Sequence, residues 1–316
     1  MNWSTENLRF DNKQIIRDKV LCGLTGGEFE FPTSKPYYKN DRRMRAPNIT
    51  FDYTDEEIKS LAVLEKDPAY TIELVNSTQM PIAVLLGPPT GLVLRDYQKE
   101  ALDNYQNKRF NIIIGSRQTG SKNTLAIQAL HYAITHTNKN VIIFSRNSAS
   151  AEDILDKVKE FYKDMPYYSK PGIREFNQKK VVFDNGSRIF AKPLTKNTPI
   201  GFTIDFMILN DYAFVTNTIA KSTQYLFPIM NAISNSKITI ASTPNGDNHF
   251  KDLVFDDKNA YHKQWIYYHQ VQGRDQAWVD RTISDIGSLE AFIQEYELLF
   301  TGSKEWIRRL NLDKLV

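Results

Sequence analysis

Short apolar runs alternate with stretches whose apolar residues recur at helical spacing, from about residue 92 to about residue 300. The apolar runs predict strands at residues 111–115, 140–146, 206–209, 237–241 and 264–269. The helical spacing predicts helices at residues 96–106, 119–135, 149–163, 219–234, 276–284 and 288–300. Buried strands that alternate with helices favour an α/β fold whose mostly parallel sheet is covered by helices.

The first 90 residues follow a different pattern, because prolines separate short basic and aromatic pieces. One helix is predicted there, since Thr54 is a good N-cap and apolar residues at positions 58, 61 and 64 follow at helical spacing. Farther along the chain, Asn185-Gly186 lies between two strand-like runs at 180–184 and 188–192 and predicts a β-hairpin.

Composition narrows the class of protein but not its function. The 316 residues carry 40 Lys and Arg against 37 Asp and Glu, a net charge of +3, which gives no general argument for a nucleic-acid partner. The single cysteine, Cys22, excludes an internal disulfide and a cysteine-cluster metal site, and the five histidines lack metal-ligand spacing. No apolar run approaches the roughly 20 residues of a membrane span, so we expect no membrane partner. The length fits about two domains, or one large domain with an appendage.

The strongest chemical signal follows the first predicted strand of this alternating region. It reads Gly115-Ser116-Arg117-Gln118-Thr119-Gly120-Ser121-Lys122-Asn123-Thr124, between a strand and a helix. Glycines and the backbone N–H groups of a helix N-terminus are what a phosphate-binding loop requires. In the usual G-x-x-x-x-G-K-[ST] form, lysine follows the second glycine at once, whereas here it comes one place late. A glycine-containing turn that binds nothing remains an alternative at this point.

A second signal ends the apolar strand at 206–209, where Asn210 and Asp211 follow. Nucleotide hydrolases place an acid there for Mg²⁺ and often a second carboxylate that acts on water. Here the first position is a neutral amide, and the aspartate at the second is one methylene shorter than the usual glutamate. A polar cap at a strand end, without chemistry, is the alternative.

Taken in order, several segments resemble the ATPase domain of the large terminase subunit, the DNA-packaging motor of tailed phages, and in particular its large-myovirus type. The segments that carry the resemblance are Arg45-Ala46-Pro47-Asn48-Ile49, Leu94-Arg95-Asp96-Tyr97-Gln98, Ser116-Arg117-Gln118-Thr119-Gly120, Ile208-Leu209-Asn210-Asp211-Tyr212-Ala213-Phe214, Ala241-Ser242-Thr243-Pro244-Asn245-Gly246 and Phe292-Ile293-Gln294-Glu295-Tyr296. Each segment alone is weak, but the ordered set is specific and spans most of residues 40–302.

The resemblance implies a RecA/helicase-like P-loop core with a mostly parallel sheet, and a small lid subdomain built from both chain ends. Residues 1–40 and 271–316 would form the lid and the start of a linker, and residues 41–270 would form the core. The nuclease domain that normally follows in the family is expected to be absent from this chain, which ends at Val316.

The resemblance also implies a set of site residues. Gln98 would recognise adenine, Arg117 would contact the γ-phosphate and act in catalysis with Asp211, and Thr243 would sense the γ-phosphate. The remaining ATP-binding positions would be Ser116, Gln118, Thr119, Gly120, Ser121, Lys122 and Asn123. Mg²⁺ would be held indirectly through Asn210 and Asp211.

Four changes fall on the catalytic positions of the family. In register with it, Ser121 stands for the phosphate-loop lysine, Lys122 for the Mg²⁺-binding hydroxyl residue, Asn210 for the metal aspartate and Asp211 for the catalytic glutamate. The arginine of a family R-G motif is replaced as well, because the chain reads Ile200-Gly201 there. A loop shifted by one residue could bring Lys122 to the phosphates and Asp211 to the metal.

Two hypotheses follow. The first is an ATP-driven motor domain that moves viral double-stranded DNA into a procapsid in the host cytoplasm. It would work as a homo-oligomeric ring with the portal and the small terminase subunit. The second is a terminase-fold pseudo-ATPase with impaired hydrolysis and a structural or regulatory role. A generic helicase-like ATPase is disfavoured, since the sequence shows no second RecA-like core.

Overall fold

The computed structural model describes residues 36–86, 91–195, 203–223, 236–304 and 306–308. Nine helices and eight strands are assigned over these residues. The helices are α1 (Asp55–Lys66), α2 (Tyr70–Leu86), α3 (Asp96–Asn107), α4 (Ser121–Thr135), α5 (Ser148–Asp164), α6 (Asn217–Thr223), α7 (His249–Phe255), α8 (Gln276–Ile286) and α9 (Leu289–Glu295). The strands are β1 (Phe110–Gly115), β2 (Asn140–Ser145), β3 (Ile173–Phe176), β4 (Lys180–Phe183), β5 (Arg188–Pro193), β6 (Phe206–Asn210), β7 (Lys237–Ser242) and β8 (His262–Ile266).

The eight strands form one sheet in the order β3-β4-β5-β2-β6-β7-β1-β8. Strands β5, β2, β6, β7, β1 and β8 pair in parallel, and β3 and β4 extend the sheet antiparallel. The predicted mostly parallel α/β sheet is therefore confirmed. Because β6, β7 and β1 are neighbours, the loops that follow Asn210, Ser242 and Gly115 leave the sheet at one edge.

Successive residues of the central strands pack on opposite faces of the sheet, as the pleat requires. Ile113 belongs to the larger hydrophobic core, which lies against α1 to α5, whereas Ile112 and Ile114 belong to a second core on the other face. The same division separates Ile208 from Met207 and Leu209 in β6. Both faces are buried, which explains why these strands are apolar without alternation.

The helix termini follow from local sequence. Thr54 caps α1 in a capping box, in which the Thr54 side chain accepts from the Glu57 N–H and the Glu57 carboxylate accepts from the Thr54 N–H. Asn147, Asp275 and Ser288 likewise accept backbone N–H groups of the first turns of α5, α8 and α9.

Three helices differ from the sequence-based expectation, and one of them, α7 (His249–Phe255), was not predicted at all. Helix α2 was not predicted, because its sequence contains Pro81 and reads as part of a proline-punctuated region. Helix α9 ends at Glu295 rather than at residue 300, since the chain turns at Leu298, which has a positive φ of 61°. Residues 224–234 of the predicted helix 219–234 lie outside the described residues.

Helices α8 and α9 share a small cluster of their own, formed by Val279, Phe292 and Tyr296. Tyr268 and Trp278 pack against this cluster. The assignment of residues 271–316 to a lid, and that of residues 1–40, stay predictions; residues 1–35 lie outside the described part. None of the helices in the described part of the chain has the length and apolar content that a bilayer crossing requires.

Candidate functional site

A cavity of about 430 Å³ opens at the sheet edge where β1, β6 and β7 end. Its size falls within the roughly 300–1,000 Å³ of ordinary ligand sites. It brings together most of the residues predicted from the sequence, and Gln98 is the one predicted site residue that is not part of the lining. The predicted residues that line it are Ser116, Arg117, Gln118, Thr119, Gly120, Ser121, Lys122, Asn123, Asn210, Asp211 and Thr243.

The loop between β1 and α4 has the backbone form of a phosphate-binding loop. Strand β1 ends at Gly115, and α4 begins at Ser121 directly after Gly120. Gly120 has a φ of 83°, in the left-handed region that favours glycine. A Cβ atom there would lie 2.8 Å from the Gln98 Nε2 atom. The positive φ therefore favours glycine at this position, and a larger residue would also displace the Gln98 amide.

Five consecutive carbonyl groups of this loop accept hydrogen bonds from side chains. Thr119 Oγ1 donates to the Ser116 carbonyl at 2.9 Å. Arg274 donates to the carbonyls of Arg117 and Gln118 at 3.0 and 3.2 Å. The Tyr97 hydroxyl and the Gln98 amide donate to the carbonyls of Thr119 and Gly120 at 3.0 and 3.3 Å. These contacts fix the orientation of the peptide groups across the loop.

The backbone N–H groups of the loop divide into two sets. Those of Ser116 and Arg117 donate to the carbonyls of Ile266 and Glu295. Those of Gln118, Thr119, Gly120, Ser121 and Lys122 have no acceptor among the described residues. Ser116 is 2% exposed, and its hydroxyl also lacks a partner within the described part of the chain. Unpaired N–H groups at a helix N-terminus form an anion-binding site.

Three cationic side chains line the cavity, and each has an interaction at its rim. Arg117 Nη2 lies 2.7 Å from Glu295 Oε1, and this hydrogen bond raises the pKa of Arg117. Lys122 Nζ lies 2.8 Å from Asp153 Oδ2 on α5. The Arg146 guanidinium lies 5.6 Å from the centre of the Phe214 ring. All three can contact an anion in the cavity.

The opposite wall carries little negative charge. The Asn210 amide donates to the Ser145 hydroxyl at 3.3 Å, and Asn210 is 6% exposed. Asp211 has a left-handed backbone with a φ of 54° and contributes the one carboxylate of the cavity lining. Within the described residues, no group of three His, Cys, Asp or Glu side chains is placed to hold a metal ion.

This donor set does not fit Mg²⁺. P-loop nucleotide hydrolases hold the ion through a hydroxyl of the phosphate loop and an aspartate at the end of a neighbouring strand. Lys122 takes the place of the hydroxyl residue at the second position of α4, and Asn210 takes the place of the aspartate. A lysine ammonium has donors but no acceptor, so it cannot be a metal ligand.

Gln98 supports the loop from behind. Its Nε2 atom donates to the Gly120 carbonyl and to Thr124 Oγ1, each at 3.3 Å, and its Oε1 atom accepts from the Arg95 N–H at 3.1 Å. The side chain is buried, with 3% of its surface exposed. The adenine-reading role stays a prediction, and these contacts favour a role in holding the loop.

The segment after β7 connects the cavity to the C-terminal helices. Thr243 lines the cavity, and its carbonyl accepts from the Ser242 hydroxyl at 2.8 Å. Three residues later, the Gly246 N–H donates to Gln294 Oε1 at 3.1 Å. Gln294 is the neighbour of Glu295, the residue that pairs with Arg117. The end of α9 therefore contacts both loops that line the cavity.

Sequence reasoning missed three residues of this arrangement: Arg146, Arg274 and the role of Glu295. Arg146 follows the carboxyl end of β2, and a charge at the end of a parallel strand is a signal that could have identified it. Arg274 and Glu295 are more than 150 residues away from the loop in sequence, and no local pattern links them to it. Ile200 and Gly201, the changed R-G motif, lie outside the described residues.

Solved structures of phage terminases share this fold. The large terminase ATPase domain of Thermus phage P74-26 is 16% identical with a TM-score of 0.53, and the match covers 70% of this chain and 98% of that one. The large terminase of another thermophilic bacteriophage, in complex with ATP-γ-S, is 11% identical with a TM-score of 0.53, covering 66% of this chain and 53% of that one. The large terminase of bacteriophage HK97 is 15% identical with a TM-score of 0.51, and the match covers 78% of this chain and 51% of that one.

The chain thus spans about half the length of the last two proteins. At these identities the likeness concerns the fold, which is the RecA-like α/β fold of terminase ATPase domains. A match to a sequence family goes further. The family described as terminase large subunit, T4likevirus-type, N-terminal, matches residues 112–313, which is more than half of the chain. The chain therefore belongs to the T4-type large terminase subunits, as their N-terminal ATPase-domain part.

Proposed function

We propose that this chain binds ATP in the cavity between β1, β6 and β7, with the phosphates on the loop of residues 116–122. The observation that carries the proposal is the set of five consecutive N–H groups, at 118–122, without an acceptor among the described residues. The three cationic side chains of the lining add charge of the right sign for a triphosphate. The relative from a thermophilic bacteriophage has been solved with ATP-γ-S and with ADP, which supports the choice of ligand.

In this proposal the chain is the motor module of a packaging terminase. It couples nucleotide binding to the movement of viral double-stranded DNA into a procapsid, as a ring of copies at the portal and with a small terminase subunit, in the host cytoplasm. Membership in the terminase family supports this role. Arg117 is the residue that contacts the γ-phosphate, so the bound nucleotide competes with Glu295 for its guanidinium.

A second candidate is a terminase-fold pseudo-ATPase that binds ATP but hydrolyses it slowly or not at all. Two observations favour it: Lys122 pairs with Asp153 outside the cavity lining, and the strand-end residue that would hold the metal is the neutral Asn210. Phosphoryl transfer depends almost wholly on positioning and charge stabilisation. Changes at several of these positions together therefore affect turnover more than binding, which loop N–H groups sustain.

Calorimetric titration of the purified chain with ATP tests the binding proposal. We expect saturable binding at one site, weakened roughly ten- to 150-fold by Arg117→Ala, because a hydrogen bond from a charged group is worth about 1.5–3 kcal/mol. Arg188→Ala is the matched control, since Arg188 is exposed at the amino-terminal start of β5, away from the cavity. The absence of saturable binding, or an equal loss in both variants, would contradict the proposal.

Phosphate release in the presence of Mg²⁺ and DNA separates the motor from the pseudo-ATPase. Brisk release by the natural sequence that Arg117→Ala abolishes supports the motor. Release at background, with a gain in a combined Ser121→Lys, Lys122→Thr and Asn210→Asp variant, supports the pseudo-ATPase. The combined variant restores the lysine, hydroxyl and carboxylate that phosphate-loop hydrolases use.

A further inference from the structure

The second residue of α4 carries a positive charge at the place where a phosphate-loop protein normally holds a metal ion. In such loops a Ser or Thr hydroxyl after the lysine binds Mg²⁺, and here that position is Lys122. The carboxylate that would complete the metal site is also missing, because Asn210 ends β6. The two changes act in the same direction: one adds a cation, and the other removes an anion that a cation would need.

The position of Lys122 is unfavourable for the helix itself. A cation in the first turn opposes the helix dipole, and α4 has no acidic residue in its first turn to offset it. An anion near the helix N-terminus would offset it. Asp153 supplies one anion at 2.8 Å, but both side chains of this pair are about half exposed, at 50% and 57%. Exposed pairs of this kind are weak, so the ammonium can leave Asp153 for a phosphate at little cost.

The charged side chains of the cavity lining also favour an anion over a cation. Among the described residues, the lining contains Arg117, Lys122 and Arg146 against the one carboxylate of Asp211. Metal-free ATP carries more negative charge than ATP with Mg²⁺ bound, so it gains more from such a surface. A divalent cation entering with the nucleotide would meet the Lys122 ammonium at its usual place, and among the described lining residues it would find a carboxylate only at Asp211.

We propose that this site binds ATP without a divalent metal, and that the Lys122 ammonium takes the place of the metal ion beside the phosphates. Before the nucleotide arrives, Asp153 holds the ammonium at the edge of the cavity. This inference rests on the proposed binding of ATP and adds to it the form of the ligand, which is the metal-free triphosphate.

Titration of the intact chain with ATP, once in EDTA and once in excess Mg²⁺, tests the inference. We expect binding in EDTA that is at least as tight as in Mg²⁺. Lys122→Thr should weaken binding in EDTA by tenfold or more, while Lys157→Thr, a matched change of an ion-paired lysine on α5, should leave it unchanged. Asp153→Asn should tighten binding in EDTA by about two- to fivefold, because it removes the competing carboxylate.

A double variant reverses the expected metal preference. Lys122→Thr with Asn210→Asp restores a hydroxyl and a carboxylate, so we expect its binding of ATP to become at least tenfold tighter in Mg²⁺ than in EDTA. The Lys122→Thr variant in each buffer is the reference for this gain. A double variant that stays indifferent to Mg²⁺ would show that these two positions do not determine the metal preference, and would overturn the inference.

A metal-centred measurement complements the titrations. When the chain is added to Mn²⁺-ATP, the inference predicts that ATP is taken up and Mn²⁺ is released, so the electron paramagnetic resonance signal of aqueous Mn²⁺ rises. A fall in that signal, or tight ATP binding in Mg²⁺ and none in EDTA, would overturn the inference and leave the proposed function standing. Absence of ATP binding in both buffers would overturn the proposed function itself.

Discussion

Replacing Gln98 by alanine distinguishes two roles for this side chain, adenine recognition and support of the phosphate loop. The structure gives Gln98 three hydrogen bonds, to the Gly120 carbonyl, to Thr124 Oγ1 and from the Arg95 N–H. None of its three contacts is with a residue of the cavity wall other than Gly120. If the role of Gln98 is to hold the loop through these contacts, the Gln98→Ala variant should bind every nucleoside triphosphate less tightly, by the same factor for each.

The size of the effect follows from the contacts. The two donated bonds are long, at 3.3 Å each, and the accepted bond measures 3.1 Å. A neutral hydrogen bond contributes about 0.5–1.5 kcal/mol net. The Gly120 carbonyl keeps the N–H groups of Asn123 and Thr124 as donors, so it is not left unsatisfied. We therefore expect Gln98→Ala to lower the free energy of unfolding by about 1–3 kcal/mol.

The effect on affinity should be smaller, because only the bond to Gly120 acts on the loop itself. If binding loses the about 0.5–1.5 kcal/mol that the hydrogen bond to Gly120 contributes, the dissociation constant rises roughly two- to twelvefold. Calorimetric titrations with ATP and with GTP measure it. The loop-support role predicts equal factors for the two nucleotides, since both carry the same triphosphate.

Gln128→Ala is the control for the loss of a buried amide. Gln128 is fully buried on α4, and its Nε2 atom donates to the Ala101 carbonyl at 3.3 Å, away from the cavity. It should lower stability by a comparable amount and leave both affinities unchanged. A loss of ATP affinity in Gln98→Ala that GTP does not share would refute the loop-support reasoning and establish adenine recognition.

Two further predictions concern other contacts of the site and the core. Arg274→Met removes the guanidinium, which donates to the carbonyls of Arg117 and Gln118 and lies over the Trp278 ring. ATP affinity should fall about tenfold in a calorimetric titration, because the loop loses two hydrogen bonds from a charged group. Unchanged affinity would contradict this. Burial lowers the pKa of His131 from 6.5 to about 3, so the unfolded chain binds more protons between these pH values, and stability should fall as the pH drops from about 6.5 towards about 3. His131→Asn should flatten that part of the profile in urea unfolding, whereas a parallel profile would assign the acid sensitivity to other groups.

The parts of the fold that sequence reasoning predicted are those that local pattern determines. The strand that ends at Gly115, the glycine-containing loop and the helix that follows were all predicted. Their signals are local: a run of apolar residues, two glycines and the start of a helical repeat lie close together in sequence. Helix α2 was missed because Pro81 reads as a break, although Ile72, Leu74 and Val75 are buried in the core. Packing of α2 against α5 stabilises the helix there, and the local sequence does not indicate this packing.

In the predicted site, too, the local features were predicted and the long-range contacts were not. The loop and the strand-end residues Asn210 and Asp211 were brought together as expected, because parallel strands end at one edge of a sheet. The direction of a long side chain was not predictable: Lys122 pairs with Asp153, and Gln98 faces the back of the loop. Such contacts depend on helices α3 and α5, whose positions are set by the core rather than by the motif.

Several contacts that shape the loop come from residues outside the loop, which bears on the proposed nucleotide site. Arg274, Tyr97 and Gln98 donate to loop carbonyls, which any residue offers, so these contacts do not depend on the side chains at 121 and 122. Substitution of those side chains alters the charge beside the loop and leaves the backbone N–H groups of residues 118–122 in the chain, so the proposed site can change its metal preference and keep these donors. Arg117 is different, because its partner Glu295 is adjacent to Gln294, which binds the Gly246 N–H. Under the proposed function, a phosphate that draws Arg117 from Glu295 would therefore act at the end of α9, which also contacts the segment after β7.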